Sequence, residues 1–201
     1  MRVLTLSRNP LPWLAGLAPL LVLAGCASLG PKQTIKVDAI SSTSTFARGI
    51  SYTLVPARQE LIQEPGTHAR AMAAVNAALQ DKGQFPAPAG TEPQYVVEVD
   101  YGAGYSIPQV NSGPVQEKFL SLSARNYVRG GQGEELWNVK TTVAVAGDEI
   151  NESLPILAAV ALDYAGSDTG TERVLQIHVN APAVQRIRNA AIFAGAGINN
   201  Y

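Results

Sequence analysis

Residues 67–101 read THARAMAAVNAALQDKGQFPAPAGTEPQYVVEVDY, and a change of period inside this stretch decides the fold class. Across 67–82, Met72, Val75 and Leu79 recur at helical spacing and, with Ala71 and Ala78, form one apolar stripe. Thr67 is placed to cap the helix start, Lys82 falls in its last turn, and Gly83 suits the position just beyond it. After the Pro-rich connector FPAPAGTEP the period drops to two. Tyr95, Val97, Val99 and Tyr101 then share a face opposite Glu98 and Asp100, which is the pattern of a half-buried strand.

Towards the C-terminus, Gly102–Gln116 reads as a long loop of Gly, Pro and polar residues. Glu117–Val128 and Leu136–Ala146 read as strands joined through Gly-Gly-Gln-Gly, a hairpin with a longer-than-minimal loop. Trp137, Val139, Thr141, Val143 and Val145 make the inward face of the second. Asn151–Tyr164 is apolar nearly all round, so a well-buried helix is expected, with Pro155 tolerated in its first turn. Glu172–Asn180 is a last strand, Ala183–Phe193 a short helix, and 194–201 a frayed tail. Towards the N-terminus, Gln33–Ser41 alternates through Ile35, Val37 and Ala39, and Ser51–Val55 is a short strand ended by Pro56. The order β-β-α-β-β-β-α-β, with a short final helix, predicts one α+β domain over residues 34–193. Its single sheet, mixed or mostly antiparallel, is expected to be covered by two main helices.

Residues 1–25 carry Arg2 and Arg8, no Asp or Glu, and an apolar run at 11–24, LPWLAGLAPLLVLA. That run has the length of a signal-peptide core and is too short for a spanning helix, which needs about 20 apolar residues. It ends in Leu23-Ala24-Gly25-Cys26, which resembles the bacterial lipobox, and Cys26 is the only cysteine in the chain. The resemblance implies removal of residues 1–25 and acylation of Cys26 by a thioether-linked diacylglycerol and an N-acyl chain such as palmitate. Three chains exceed the two signals that stable anchoring requires. Residues 26–33 would be the acylated cysteine and a tether, whose seven residues after Cys26 reach about 25 Å at most. Ala27, where an aspartate would signal inner-membrane retention, favours the outer membrane with the domain facing the periplasm.

Loss of Arg2 and Arg8 would take the formal charge from −1 to −3, leaving 176 residues. No basic stripe is present, which argues against nucleic acid as a partner and against electrostatic binding to anionic lipid. With its one cysteine acylated, the mature domain would have no disulfide and would rest on packing alone.

Tyr52-x-Leu54-x-Pro56, Ala78-Leu79-x-x-Lys82-Gly83, Val96-Val97-Glu98-Val99-Asp100-Tyr101-Gly102 with Gly104, Leu136-Trp137 and Leu154-Pro155-Ile156-Leu157 occur in that order. The ordered set, over about residues 33–180, resembles the bacterial lipoproteins of the domain-of-unknown-function 4136 family. The chain departs from the pattern at Pro93-Gln94, where that family would have Ala-Asp. The resemblance implies an envelope lipoprotein with an α+β domain and brings no catalytic or binding residues.

Chemistry-bearing residues are sparse. His68 falls in a first helical turn and His178 on the polar face of the last strand, and neither has a metal-ligand neighbour at H-x₃-H or H-E-x-x-H spacing. Ser106 and Ser112 lie in the long loop without a G-x-S-x-G context, and ordinary turn chemistry accounts for them. Asp148, Glu149 and Glu152 precede a helix, where negative charge is favourable, and Asn151 alone does not complete a calcium loop. Gly102-Ala-Gly104 follows a strand but does not open a helix, so a turn is expected rather than a phosphate loop. Trp137 is read as core.

No catalytic residue, metal or cofactor is expected. The reading is a lipid-anchored envelope protein with a non-catalytic interaction or structural role, its partners being the membrane through Cys26 and another envelope protein. Tyr105, Ile107 and Val110, apolar groups in an otherwise polar loop, are the expected partner contact. The rival readings are a periplasmic carrier of lipid or small ligands, which requires a cavity, and a hydrolase of unrecognised type, which requires polar groups converging on a cleft.

Overall fold

A computed structural model of the chain describes residues 30–43, 46–107, 115–146 and 150–198. Seven strands form one sheet in the order β3-β2-β4-β5-β6-β1-β7. The strands are β1 (Lys32–Ser41), β2 (Ser51–Pro56), β3 (Phe85–Pro86), β4 (Tyr95–Ile107), β5 (Val115–Val128), β6 (Gly131–Val145) and β7 (Arg173–His178). β2 runs parallel to β3 and β4, and every other neighbouring pair is antiparallel. Three helices, α1 (Pro65–Asp81), α2 (Leu154–Tyr164) and α3 (Pro182–Ile198), complete an α+β fold with a single mixed sheet.

The core lies between one face of the sheet and the helices. Ile35 and Val37 of β1, Val97 and Val99 of β4, Leu120 and Leu122 of β5 and Val139 of β6 are fully buried there. Their sequence neighbours Lys36, Asp38 and Lys140 are exposed on the opposite, polar face. Trp137 is 4% exposed and its ring centroid lies 5.7 Å from that of Phe46, so the core reading of this residue holds. Leu154 to Ala158 are all buried, as expected for a helix apolar on every side.

Helix α1 begins two residues before Thr67, at Pro65, and no side chain caps it. Its end is the one expected. Gly83 has φ +80°, the Gly83 amide donates to the Gln80 carbonyl at 2.8 Å, and the Gln84 amide donates to the Leu79 carbonyl at 3.1 Å. These two bonds form a Schellman motif.

Three expectations are corrected. Residues 102–107 are not loop: they extend β4, and 115–116 extend β5, with Gly102 paired to Phe119, Ile107 paired to Val115 and a register shift between Ala103 and Ser106. Glycine here marks a close approach rather than a turn, because a Cβ on Gly102 would stand 3.2 Å from the Phe119 ring. Gly102-Ala-Gly104 is therefore strand, not the expected turn. The β5–β6 connection is minimal, since Val128 pairs with Gly131 and only Arg129 and Gly130 turn the chain. The surplus residues are absorbed by register shifts at Arg125, where Gly133 passes so close to Asn126 that a Cβ would stand 1.8 Å from its carbonyl oxygen. The third correction is α3. It is a 17-residue helix through Ile198 and not a short helix with a tail from 194, and it lies against the two main helices α1 and α2. Val184, Ile187 and Ala191 tie it to the core.

Candidate ligand cleft

At one end of the sheet β1 begins and β6 ends, with Ile35 of β1 paired to Val143 of β6. The chain leaves β6, turns through the 3-10 segment Ile150–Glu152 and enters α2 there. The first turns of α1 and the second half of α3 close over the same end, leaving a cleft of about 750 Å³. Its floor is Gln33, Val145 and Val179, and Asn151, Ser153, Pro155 and Ile156 form one wall. Arg70 enters from α1, and Arg188, Ala191 and Ile192 from α3.

The polar groups here are incompletely satisfied. Arg70 Nε, Asn151 Oδ1 and the neighbouring His68 Nδ1 are buried and have no hydrogen-bond partner among the described residues. Asn151 Nδ2 lies 3.5 Å from Thr67 Oγ1. Arg188 is steered by the turn that follows β7, since one of its terminal nitrogens donates to the Val179 carbonyl at 2.9 Å and the other to Asn180 Oδ1 at 3.4 Å. Neither arginine forms an ion pair with a carboxylate among the described residues. Arg70 is held by α3: a Cβ on Gly195 would stand 2.3 Å from Arg70 Nε and 3.0 Å from its Cγ, so the glycine is the slot through which the arginine stem passes. Exposed Glu152 is the one carboxylate among the described lining residues.

No family model matches the chain, and no curated protein matches it. Among solved structures, the PelC dodecamer from Paraburkholderia phytofirmans superposes with a TM-score of 0.43 at 13% identity, over 64% of this chain and 94% of that one. A PDZ domain protein from Parabacteroides distasonis superposes with a TM-score of 0.49 at 9% identity, over 73% of this chain and 39% of that one. A "putative lipoprotein" from Caulobacter crescentus gives 0.28 at 12% identity, over 74% and 90%.

Of the residues singled out from sequence, Cys26, Val110, Ser112, Asp148 and Glu149 lie outside the described residues. Tyr105, Ser106 and Ile107 belong to the last part of β4. His68 and His178 sit on different elements: His68 is in the first turns of α1, whereas His178 ends β7 with Nδ1 3.1 Å from the Gly30 carbonyl oxygen. Among the described residues no group of three or more His, Cys, Asp or Glu is placed to hold a metal, and no helix is long and apolar enough to cross a membrane.

Sequence reasoning missed Arg70 and Arg188 because neither belongs to a motif. A signal was nevertheless present. Arg70 stands four residues before buried Ala74, and Arg188 four after buried Val184 and three before buried Ala191, so each guanidinium is in line with an apolar stripe.

Proposed function

We propose that this chain is a lipid-anchored envelope protein, facing the periplasm from the outer membrane, that works by non-covalent binding in the cleft beneath α1 and α3. The cleft itself carries the reading: its volume of about 750 Å³ lies in the range of small-molecule sites, and its lining, somewhat more polar than apolar, sets Arg70, Asn151 and Arg188 beside apolar side chains. This favours the carrier reading over a purely structural role. The lipobox-like LAGC and the resemblance to the domain-of-unknown-function 4136 lipoproteins support the anchor. Gly30 packs against Val179 and Asn180, the residues that steer Arg188, and Cys26 precedes it by four residues, a reach of about 14 Å. With Cys26 acylated, the cleft would open close to the bilayer. A protein contact through Tyr105, Ile107 and Val110 stays a second proposed role, with Tyr105 and Ile107 in the last part of β4.

Cells grown with a clickable fatty acid supply the test. The wild-type chain should take up label and Cys26→Ser should not, because a hydroxyl does not replace the thiol as acyl acceptor. Native mass spectrometry of the extracted chain should then show a bound small molecule that Ile192→Trp, which fills the cleft from its exposed rim, removes. Equal labelling defeats the anchor, and an identical mass profile in the two proteins defeats the cleft.

A further inference from the structure

We infer that the cleft takes an amphiphile with a single anionic head, a carboxylate or phosphate, on an apolar chain. The inference rests on the binding role proposed above and names its ligand class. Arg70 and Arg188 enter the cleft from two different helices, and neither has a carboxylate partner among the described residues. A buried guanidinium nitrogen left without an acceptor is costly, and Arg70 Nε is such a nitrogen. A planar fork of donors matches the oxygens of a carboxylate or phosphate better than any other small group.

The two side chains are also held in place. The Arg70 stem is threaded past Gly195, and Arg188 is fixed by the Val179 carbonyl and Asn180, so little side-chain freedom remains to be lost on binding. An inorganic anion alone would leave the rest of the lining unused. Val145, Pro155, Ile156, Ala191 and Ile192 offer an apolar wall, and Ile192, 55% exposed, is its apolar lip at the mouth. A chain-bearing anion satisfies both halves, its head against the guanidinium groups and its chain along α3.

The test uses the acylated full chain in phosphatidylcholine nanodiscs with two fluorescent probes, dansyl-labelled undecanoate and the matching dansyl-labelled undecanol. The carboxylate probe should bind saturably above empty nanodiscs. Arg70→Gln and Arg188→Gln should each weaken it at least about tenfold, as loss of a charge-assisted hydrogen bond requires, and leave the alcohol probe unchanged. Lysophosphatidic acid should displace the probe and inorganic phosphate should not, which separates a lipid from a free anion. Displacement by inorganic phosphate as effective as by the lipid overturns the amphiphile. If both probes bind equally, are blocked by Ile192→Trp and ignore the arginine substitutions, the anionic head is wrong while the cleft stands as a binding site. If neither probe binds above empty nanodiscs, the binding role and the ligand class both fall. Unfolding midpoints of the two variants close to wild type establish that any lost binding is local.

Discussion

Three tyrosine hydroxyls face inward from the sheet. Tyr52 Oη donates to Asn76 Oδ1 at 2.6 Å, Tyr101 Oη donates to the Leu61 carbonyl at 3.3 Å, and Tyr95 Oη is buried with no partner among the described residues. Burial pushes Tyr52 and Tyr101 up to about 12 from 10.0, with Glu64 adding to the effect at Tyr101. Burial, reinforced by neighbouring Tyr52, raises Tyr95 further. A phenol whose folded pKa is raised contributes stability that is complete below the unfolded value and lost as pH climbs through the folded one. Urea midpoints should therefore hold steady below pH 10.0 and fall as pH rises from there towards 12, with tyrosinate absorbance appearing late. Tyr52→Phe should flatten that fall. A midpoint that ignores pH in this window, or is equally steep in Tyr52→Phe, removes Tyr52 as the cause. The alternation in 95–101 revealed that the Tyr95 and Tyr101 rings point inward, but nothing in the sequence paired the Tyr52 hydroxyl with Asn76. Asn76 lies on α1, and only the packing of α1 on β2 brings it within reach.

Where an element carried one unbroken period, its reading survived. β6 is the clearest case. Trp137, Val139, Thr141 and Val143 are buried, and Thr141 Oγ1 donates to the Leu120 and Leu157 carbonyls at 3.3 and 3.2 Å, which joins sheet to α2. Trp137→Ala should cost about 3–5 kcal/mol, the range for deleting a large aromatic from a core, measured as a loss in urea unfolding free energy. A loss below about 1 kcal/mol would mean that Phe46 and its neighbours close the gap or that the ring is not core. Elements broken by glycine were misread in one direction. Gly102, Gly104 and Gly133 suggested loop, yet all three lie within strands, because the neighbouring strand pairs directly at Gly102 and resumes pairing beyond the register shifts at Gly104 and Gly133. Local propensity loses to cross-strand pairing when a glycine provides the close approach that the pairing needs. The same small-residue bias made the AGAG run after Phe193 look like a frayed tail. In the structure Gly195 of that run lets α3 lie against Arg70 of α1.

For the whole molecule, α3 is the element on which the cleft depends. It packs on α1 and α2, buries Val184, Ile187 and Ala191, and supplies Arg188 and Ile192 to the cleft. The surface ion pairs that accompany it, such as Arg186 with Asp81 at 2.7 Å, are exposed and contribute little. Ending the chain at Ala181 should therefore cost cooperativity as well as stability, read as a broadened urea transition and binding of a hydrophobic dye. A sharp transition near the wild-type midpoint would show that α3 is an accessory. Composition and period by themselves determined the α+β class, the inward faces of β1, β4 and β6, the buried character of α2 and the Gly83 stop of α1. Each is a local property, set by residues within a few positions of one another. The strand order, the full length of α3 and the meeting of Arg70 and Arg188 in one cleft were decided only in the folded chain. The pairing of β1 with β6 and β7 and the meeting of Arg70 with Arg188 join residues more than a hundred positions apart, and side chains so distant leave no shared period in the sequence.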